Sequence, residues 1–422
     1  MRHSILKAFS FAAIALAAAG CGSEKSSAPG LIDIAGAIKS PAELKTSDLG
    51  RTITYIPLET TDSSLVASRF SLTFAPGKVI VSNTSGSLNN DGSVLVFDLS
   101  DGSFCNSIGH GGQDPEAFAD VRCVSDAGEN AVLFKGNGGK CVKYGLDGRF
   151  IGIVTPHSSM EGMLPAFVDD TVYVYSVYEY FMKPKPMLSA VYAGKSGVMI
   201  DSVVVVPETP GPSLELNGGI SVFINNSMMR NSLQRGGAIK IGSSPRVYMP
   251  GYPRLWRVAD GKTHAMTTFS DTIYEVSAGA QPQPVAVISL GEKSFPGSAN
   301  GVREMAGDEW TLSDLTETPS VMILGVKRGD SETPETGFIG YYDRGSGATR
   351  MTAADNGFTD DLSSFMPFYP VAATVEGALV GILKQEDILK WVEAHPDAAV
   401  PSALQPVIDS EDEPNPVLVI VK

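Results

Sequence analysis

One local pattern recurs along this chain and restricts its fold more than any other feature: a β-branched strand, a turn of Gly, Asp or Asn, and a second β-branched strand. Residues 94–98 run into Asp101-Gly102 and then 103–108. Residues 141–144 run into Asp147-Gly148 and then 149–154. The same sentence is written at 190–206, 272–290 and 337–351. Asp-Gly suits a tight hairpin because glycine takes positive φ at no steric cost. A further strand candidate precedes each hairpin, at 78–82, 131–134, 171–175, 247–249 and 321–326.

A strand plus a hairpin repeating every ~40–60 residues matches propeller blades. Residues 372–375 and 378–383 supply strands for a sixth unit. A pair of β-sandwiches lacks so regular a repeat, and a β-helix uses a much shorter one. The expectation is an all-β chain folded as a single six-bladed β-propeller. Its ring must be joined, because open strand edges invite aggregation. Residues 52–58 and 416–422 are strand candidates at the two ends, expected in one blade with the N-terminal strand outermost. Helical signals are few: a capping box with proline at N1 over Ser40-Pro41-Ala42-Glu43, and residues 383–394 with Ile388, Trp391 and Val392 on one side.

Ahead of the propeller, residues 1–20 read as a signal peptide. Arg2 and Lys7 give the positive start, and about a dozen apolar residues follow, too few to cross a ~30 Å bilayer core. Ala18-Ala19-Gly20-Cys21 resembles a lipobox, although Ala18 stands where leucine is commoner. Cys21 is therefore the expected lipidated residue. Residues 21–38 are the expected tether, clearest at 22–30, where Gly, Ser, Lys and Glu cannot build a core. The propeller is expected over 39–422. The implied location is the outer membrane, with either face open.

A net charge of −15 opposes binding to nucleic acid. Cys105, Cys123 and Cys141 stand eighteen residues apart, a spacing that could put them on equivalent strands. Without a C-x-x-C pair a zinc site has little support; an exported protein could form one disulfide among them, and buried strand cysteines are the plainer expectation. No metal or cofactor is expected.

Several motifs together resemble one family: Tyr55-Ile56-Pro57-Leu58-Glu59-Thr60, the loop from Gly109 through Glu116 to Phe118, Phe269-Ser270-Asp271-Thr272-Ile273-Tyr274, and Asn415-Pro416-Val417-Leu418-Val419. They are similar to the six-bladed β-propeller lipoproteins of the Bacteroidetes, relatives of NHL-type propellers. The family loop usually ends Gly-Pro-Gly-Glu plus an aromatic; here Asp114 precedes the proline and Ala117 follows the glutamate. The resemblance implies an envelope binding or interaction protein, with no agreed catalytic set. The alternative is a channel-centred enzyme, a metal-dependent lactonase or polysaccharide lyase, which would gather Asp, Glu, Asn or His at the inner strand starts.

Two groups are candidate ligand-binding residues. His110, Gln113, Asp114 and Glu116 form the densest polar cluster; the plainer and preferred reading is a glycine-rich connection between the first two blades. Tyr252, Arg254 and Trp256 could stack on a sugar or peptide, or pack between blades. Tyr178, Tyr180 and Phe181 before Lys183-Pro184-Lys185-Pro186 suggest a further exposed loop. Asp271, Thr272 and Tyr274 read as strand and turn residues. The histidines after the expected signal peptide (His110, His157, His264 and His395) are scattered, without metal spacing, and no G-x-S-x-G elbow occurs. No catalytic residue is assigned. The partner class is left as a small molecule, glycan or protein, in addition to the membrane reached through the lipid.

Overall fold

The computed structural model describes residues 29–84, 92–178, 188–206, 220–223, 238–241, 247–248, 254–266, 271–292, 294, 309–328 and 337–422. Strands make up 47% of the chain and helices 12%, and six small sheets form a six-bladed β-propeller. We call the strands of each blade A to D, from the axis outward. Blade 1 runs Phe70–Ala75, Lys78–Asn83, Val94–Asp98 and Phe104–Ser107; blade 2 runs Phe118–Asp126, Ala131–Gly136, Cys141–Gly145 and Phe150–Val154. Blade 3 runs Phe167–Val168, Val172–Tyr178, Leu188–Gly194 and Met199–Val206. Blade 4 is Arg254–Arg257, Thr263–Met266, Thr272–Glu275 and Gln283–Ser289; blade 5 is Trp310–Glu317, Val321–Arg328, Gly337–Asp343 and Thr349–Ala353.

Blade 6 takes Ala372–Ala373, Leu379–Leu383 and Val417–Val421 from the C-terminal end, and Ile53–Pro57 from the N-terminal end as its outermost strand. Ile53 to Pro57 pair antiparallel with Val421 to Val417, which closes the ring as expected. Asn415 locks this closure. Its side chain accepts from Val66 N at 2.8 Å and donates to the carbonyls of Glu59 and Ser64 at 2.7 Å each.

The cores lie between blades, so both faces of a strand are buried. In blade 1, Val79 and Val81 pack against Val380 and Leu418 of blade 6. Ile80, between them, packs with Phe118, Phe134 and Tyr144 of blade 2. A side-chain period of two therefore feeds two different cores, and this is why the strands read as nearly continuous β-branched runs. Full burial of such a side chain contributes about 1.5–3 kcal/mol.

The C–D turns carry the glycines seen in the sequence. Gly102, Gly148 and Gly197 have φ of 78°, 82° and 85°. A side chain there would also strike the chain leaving the preceding blade: Pro57 O at Gly102, Ser107 O at Gly148, Thr155 O at Gly197. Each turn thus rests on its neighbour's rim, and glycine is required twice over.

Four expectations change. Blades 1 to 5 each have an innermost strand that the repeat did not reveal, whereas that of blade 6, Ala372–Ala373, lies where a strand was expected. Val247–Tyr248, expected in blade 4, is instead the third strand of a separate sheet with Ile220–Phe223 and Ala238–Ile241. Residues 40–43 are not helical; the helix is Ile34–Lys39, whose N-cap Asp33 accepts from Gly36 N at 2.9 Å. Ala42 N instead bonds to Met351 O at 2.9 Å on the rim of blade 5. Finally, residues 30–38, expected to belong to the tether, are folded: Gly30–Asp33 pairs parallel with strand D of blade 4, and Ile34–Lys39 is helical. The segment 30–57 therefore covers the outer edges of blades 4, 5 and 6 in turn, which protects them from edge-to-edge pairing. The helix Gln385–Ala394 forms where expected, with Ile388 buried.

Candidate functional site

The two ends of the inner strands differ in what they carry. All A–B turns, from 76–77 to 374–378, are five residues or fewer. At the opposite end lie the B–C turns and the connections between blades. Those connections run from ten residues (108–117) to forty-seven (207–253), and the B–C segment of blade 6 spans 384–416. Loops set on a rigid scaffold are where binding residues concentrate.

The 108–117 connection lies at this end and is held internally. His110 Nε2 lies 2.8 Å from Asp114 Oδ2, with both side chains about half exposed. The other oxygen of Asp114 accepts from the backbone N–H groups of Glu116 and Ala117 at 3.0 Å. The His110 hydrogen bond lowers the Asp114 pKa most. Tyr144 Oη donates to Glu116 O at 2.8 Å, and Asn137 Nδ2 to Gly112 O at 2.9 Å. Phe118 then drops into the core, stacked on Phe134 with centroids 4.9 Å apart. The loop is thus a braced connection, with Gln113 and Glu116 exposed on its outside.

Of the second candidate group, Tyr252 lies outside the described residues. Trp256 cannot stack on a ligand, because its ring is 8% exposed and its Nε1 donates to Glu317 Oε2 at 2.6 Å. Strand A of blade 4 carries this side chain inward against blade 5. Arg254, two residues earlier on the same side, lies over the Trp256 ring and donates from Nη1 to Leu315 O at 2.8 Å. Burial pushes its guanidinium down to about 10, against the pull of Asp314. Both residues brace the contact between blades 4 and 5. Residues 179–187, and with them Tyr180 and Phe181, lie outside the described residues.

The inner strands hold charges that the sequence pattern did not single out. Asp120 and Arg122 pair on strand A of blade 2, where Arg122 Nε reaches both carboxylate oxygens at 3.0 Å. Asp314 is exposed on strand A of blade 5. Both sites fall where the register slips, between Phe118 and Cys123 and between Leu312 and Asp314. A bulge re-aims a side chain, so a charge interrupting an apolar strand was the available signal. Among the described residues, no three His, Cys, Asp or Glu side chains come together as a metal site.

The A–B end is instead stapled by buried ions. Asp126, the last residue of strand A in blade 2, accepts from Lys143 and from Lys195 of blade 3, both at 2.8 Å. Glu317 ends strand A in blade 5 and meets Trp256, His264 and Arg344. His264 Nδ1 lies 2.8 Å from Glu317 Oε2. Burial, helped by Arg344, holds the His264 pKa down to about 4, so its neutral ring donates Nδ1–H to the carboxylate. A missing partner for a buried ion costs several kcal/mol, so each staple fixes one arrangement of adjacent blades.

Cys105, Cys123 and Cys141 are free, and they sit on strands D, A and C rather than on equivalent strands; Cys123 and Cys141 are buried as expected, whereas Cys105, on the rim strand of blade 1, is exposed. Burial raises the Cys123 and Cys141 thiols to about 11, which leaves them unreactive.

A family model described as a domain of unknown function (DUF4934) matches residues 29–422. Among solved structures, a "Putative exported protein" from Bacteroides fragilis NCTC 9343 is similar at 16% identity and a TM-score of 0.61, covering 94% of this chain and 99% of its own. A member of the duf4221 family from Bacteroides vulgatus ATCC 8482 aligns at 10% identity and a TM-score of 0.43, covering 88% and 97%. The first likeness supports the fold; the second is too distant to add to it. No curated protein matches the chain.

Proposed function

The chain belongs to the DUF4934 family, and from that premise we propose that it is an envelope lipoprotein whose propeller binds a ligand or partner through its long-connection end. One observation carries the reading. The A–B end is closed by short turns and buried ion staples, whereas the other end carries every connection of ten residues or more. Rigidity at one end and long loops at the other is the arrangement of a binding scaffold. The exposed Gln113 and Glu116 mark its first connection, with His110 and Asp114 holding the loop beneath them. In this reading Cys21 carries the lipid, after removal of residues 1–20, and holds the protein at the outer membrane.

Two measurements test this. Mass spectrometry of the mature N-terminus should find acyl chains on Cys21, and Cys21→Ala should leave the membrane fraction. A photoreactive residue at Gln113 should cross-link an envelope component, while one at Gly77, in an A–B turn, should not. Cross-links from Gly77 alone would reverse the assignment of the binding end.

A further inference from the structure

Among the described residues, the rim of the propeller carries an apolar sector. On strand D of blade 3 and the turn before it, Val198, Met199, Ile200 and Val204 are exposed, Val198 and Ile200 by 66% and 61%. Blade 2 adds Ile151 and Ile153 on its own strand D. Leu31, on the strand added to the rim of blade 4, is exposed by 59%. These residues occupy the outermost strands of three consecutive blades. The one carboxylate in the blade 3 stretch, Asp201, is occupied by Gly279 N in the C–D turn of blade 4. An apolar run of this kind on a chain of net charge −15 needs a partner.

The chain itself indicates what that partner is. Gly30 pairs with Ala286 and runs parallel to strand D of blade 4. The polypeptide therefore enters the propeller from the side of the 276–282 turn, the turn that touches Asp201 of blade 3. Between Cys21 and Gly30 lie residues 22–29, which extend to at most ~30 Å. An anchor at Cys21 thus holds the blade 3 rim within reach of the bilayer at all times.

We propose that the apolar rim of blades 2–4, centred on Val198, Met199 and Ile200, rests on the phospholipid surface into which the lipid anchor inserts. The proposal rests on lipidation of Cys21. A contact too weak to hold a free protein is populated once a short tether fixes its effective concentration. Its strength comes from apolar burial rather than charge, so it operates on zwitterionic lipid and is insensitive to salt. The disc then stands on its rim, its axis along the membrane plane, and the long-connection end faces sideways.

Brominated phospholipid tests this on the full lipidated chain in phosphatidylethanolamine–phosphatidylcholine vesicles. Wild-type protein is first floated with the vesicles. Tryptophan is then placed by Ile200→Trp on the rim of blade 3, and by Leu389→Trp on the exposed face of the blade 6 helix. Quenching should be roughly twofold or more stronger at position 200, because a rim side chain enters the ~5–10 Å headgroup boundary. Failure of the wild-type chain to float would refute lipidation, and the docking with it. Flotation with equal quenching at both positions would refute the docking alone. Equal quenching with a dimer in sedimentation would assign the rim to a second copy of the chain, and also overturn the proposal.

Discussion

Asn415 is 3% exposed and makes three side-chain hydrogen bonds across the closure of the ring. Asn415→Ala removes all three, at about 1 kcal/mol each, and leaves Val66 N–H and the Ser64 carbonyl without their partner, at about 1–3 kcal/mol for either group that stays buried, while the Glu59 carbonyl keeps the Ser64 hydroxyl. The expected loss is therefore about 3–5 kcal/mol, a large fraction of the ~5–15 kcal/mol available to a folded domain. Asn415→Asp should be worse at neutral pH. It keeps an acceptor for Val66 but turns carboxylate oxygens toward the carbonyls of Glu59 and Ser64. Urea unfolding followed by tryptophan fluorescence measures the effect as a fall in midpoint at constant slope. An Asn415→Ala midpoint loss below about 1 kcal/mol, or an Asp variant more stable than Ala, would show that the ring is held by strand pairing alone.

Removal of residues 415–422 should abolish soluble folding, since it takes strand C of blade 6 and orphans Ile53–Pro57; an unchanged melting temperature would refute this closure. Lys143→Met should cost about 3–5 kcal/mol, because Asp126 is fully buried and keeps only Lys195; Lys195→Met, at a more exposed position, should cost less in the same melt. His264 gives the fold an acid limit. Its folded pKa of about 4 lies below the unfolded value of 6.5, so the unfolded chain binds its proton first. The stability it confers is whole above pH 6.5 and is lost as pH falls toward 4, by about 3 kcal/mol at most. His264→Gln should flatten that part of a stability–pH curve measured by thermal melts. Asp114→Ala should accelerate amide exchange across 110–117 without altering exchange in the blade cores.

Much of the architecture was legible in the sequence, because each hairpin carries its own instructions. Asp101-Gly102 and Asp147-Gly148 specify turns locally, and β-branched runs between them specify strands buried on both sides. The ends could be matched because two unpaired strands must find each other in a closed ring. The innermost strands were less legible: Phe118–Asp126 is bulged and carries Asp120 and Arg122, which breaks its periodicity. The short strand at Val247 followed the β pattern yet joined a separate sheet, since local propensity does not choose a partner.

For the site, the sequence named residues without their roles. Trp256 and a binding tryptophan have the same letter; only the approach of Glu317, sixty-one positions later, buries its N–H and makes it a brace. Likewise, His110 and Asp114 are near in sequence, but their pairing under an exposed Gln113 and Glu116 is a matter of loop conformation. The sequence determined the blade count, the closure and the turns, because those depend on contacts between near neighbours and on one global requirement, that no edge be left open. Tertiary structure alone decided which polar residues become staples, which end carries the loops, and which rim stays apolar. Those depend on residues far apart in the chain meeting across blades, where burial converts a hydrogen bond or an exposed isoleucine from incidental to decisive.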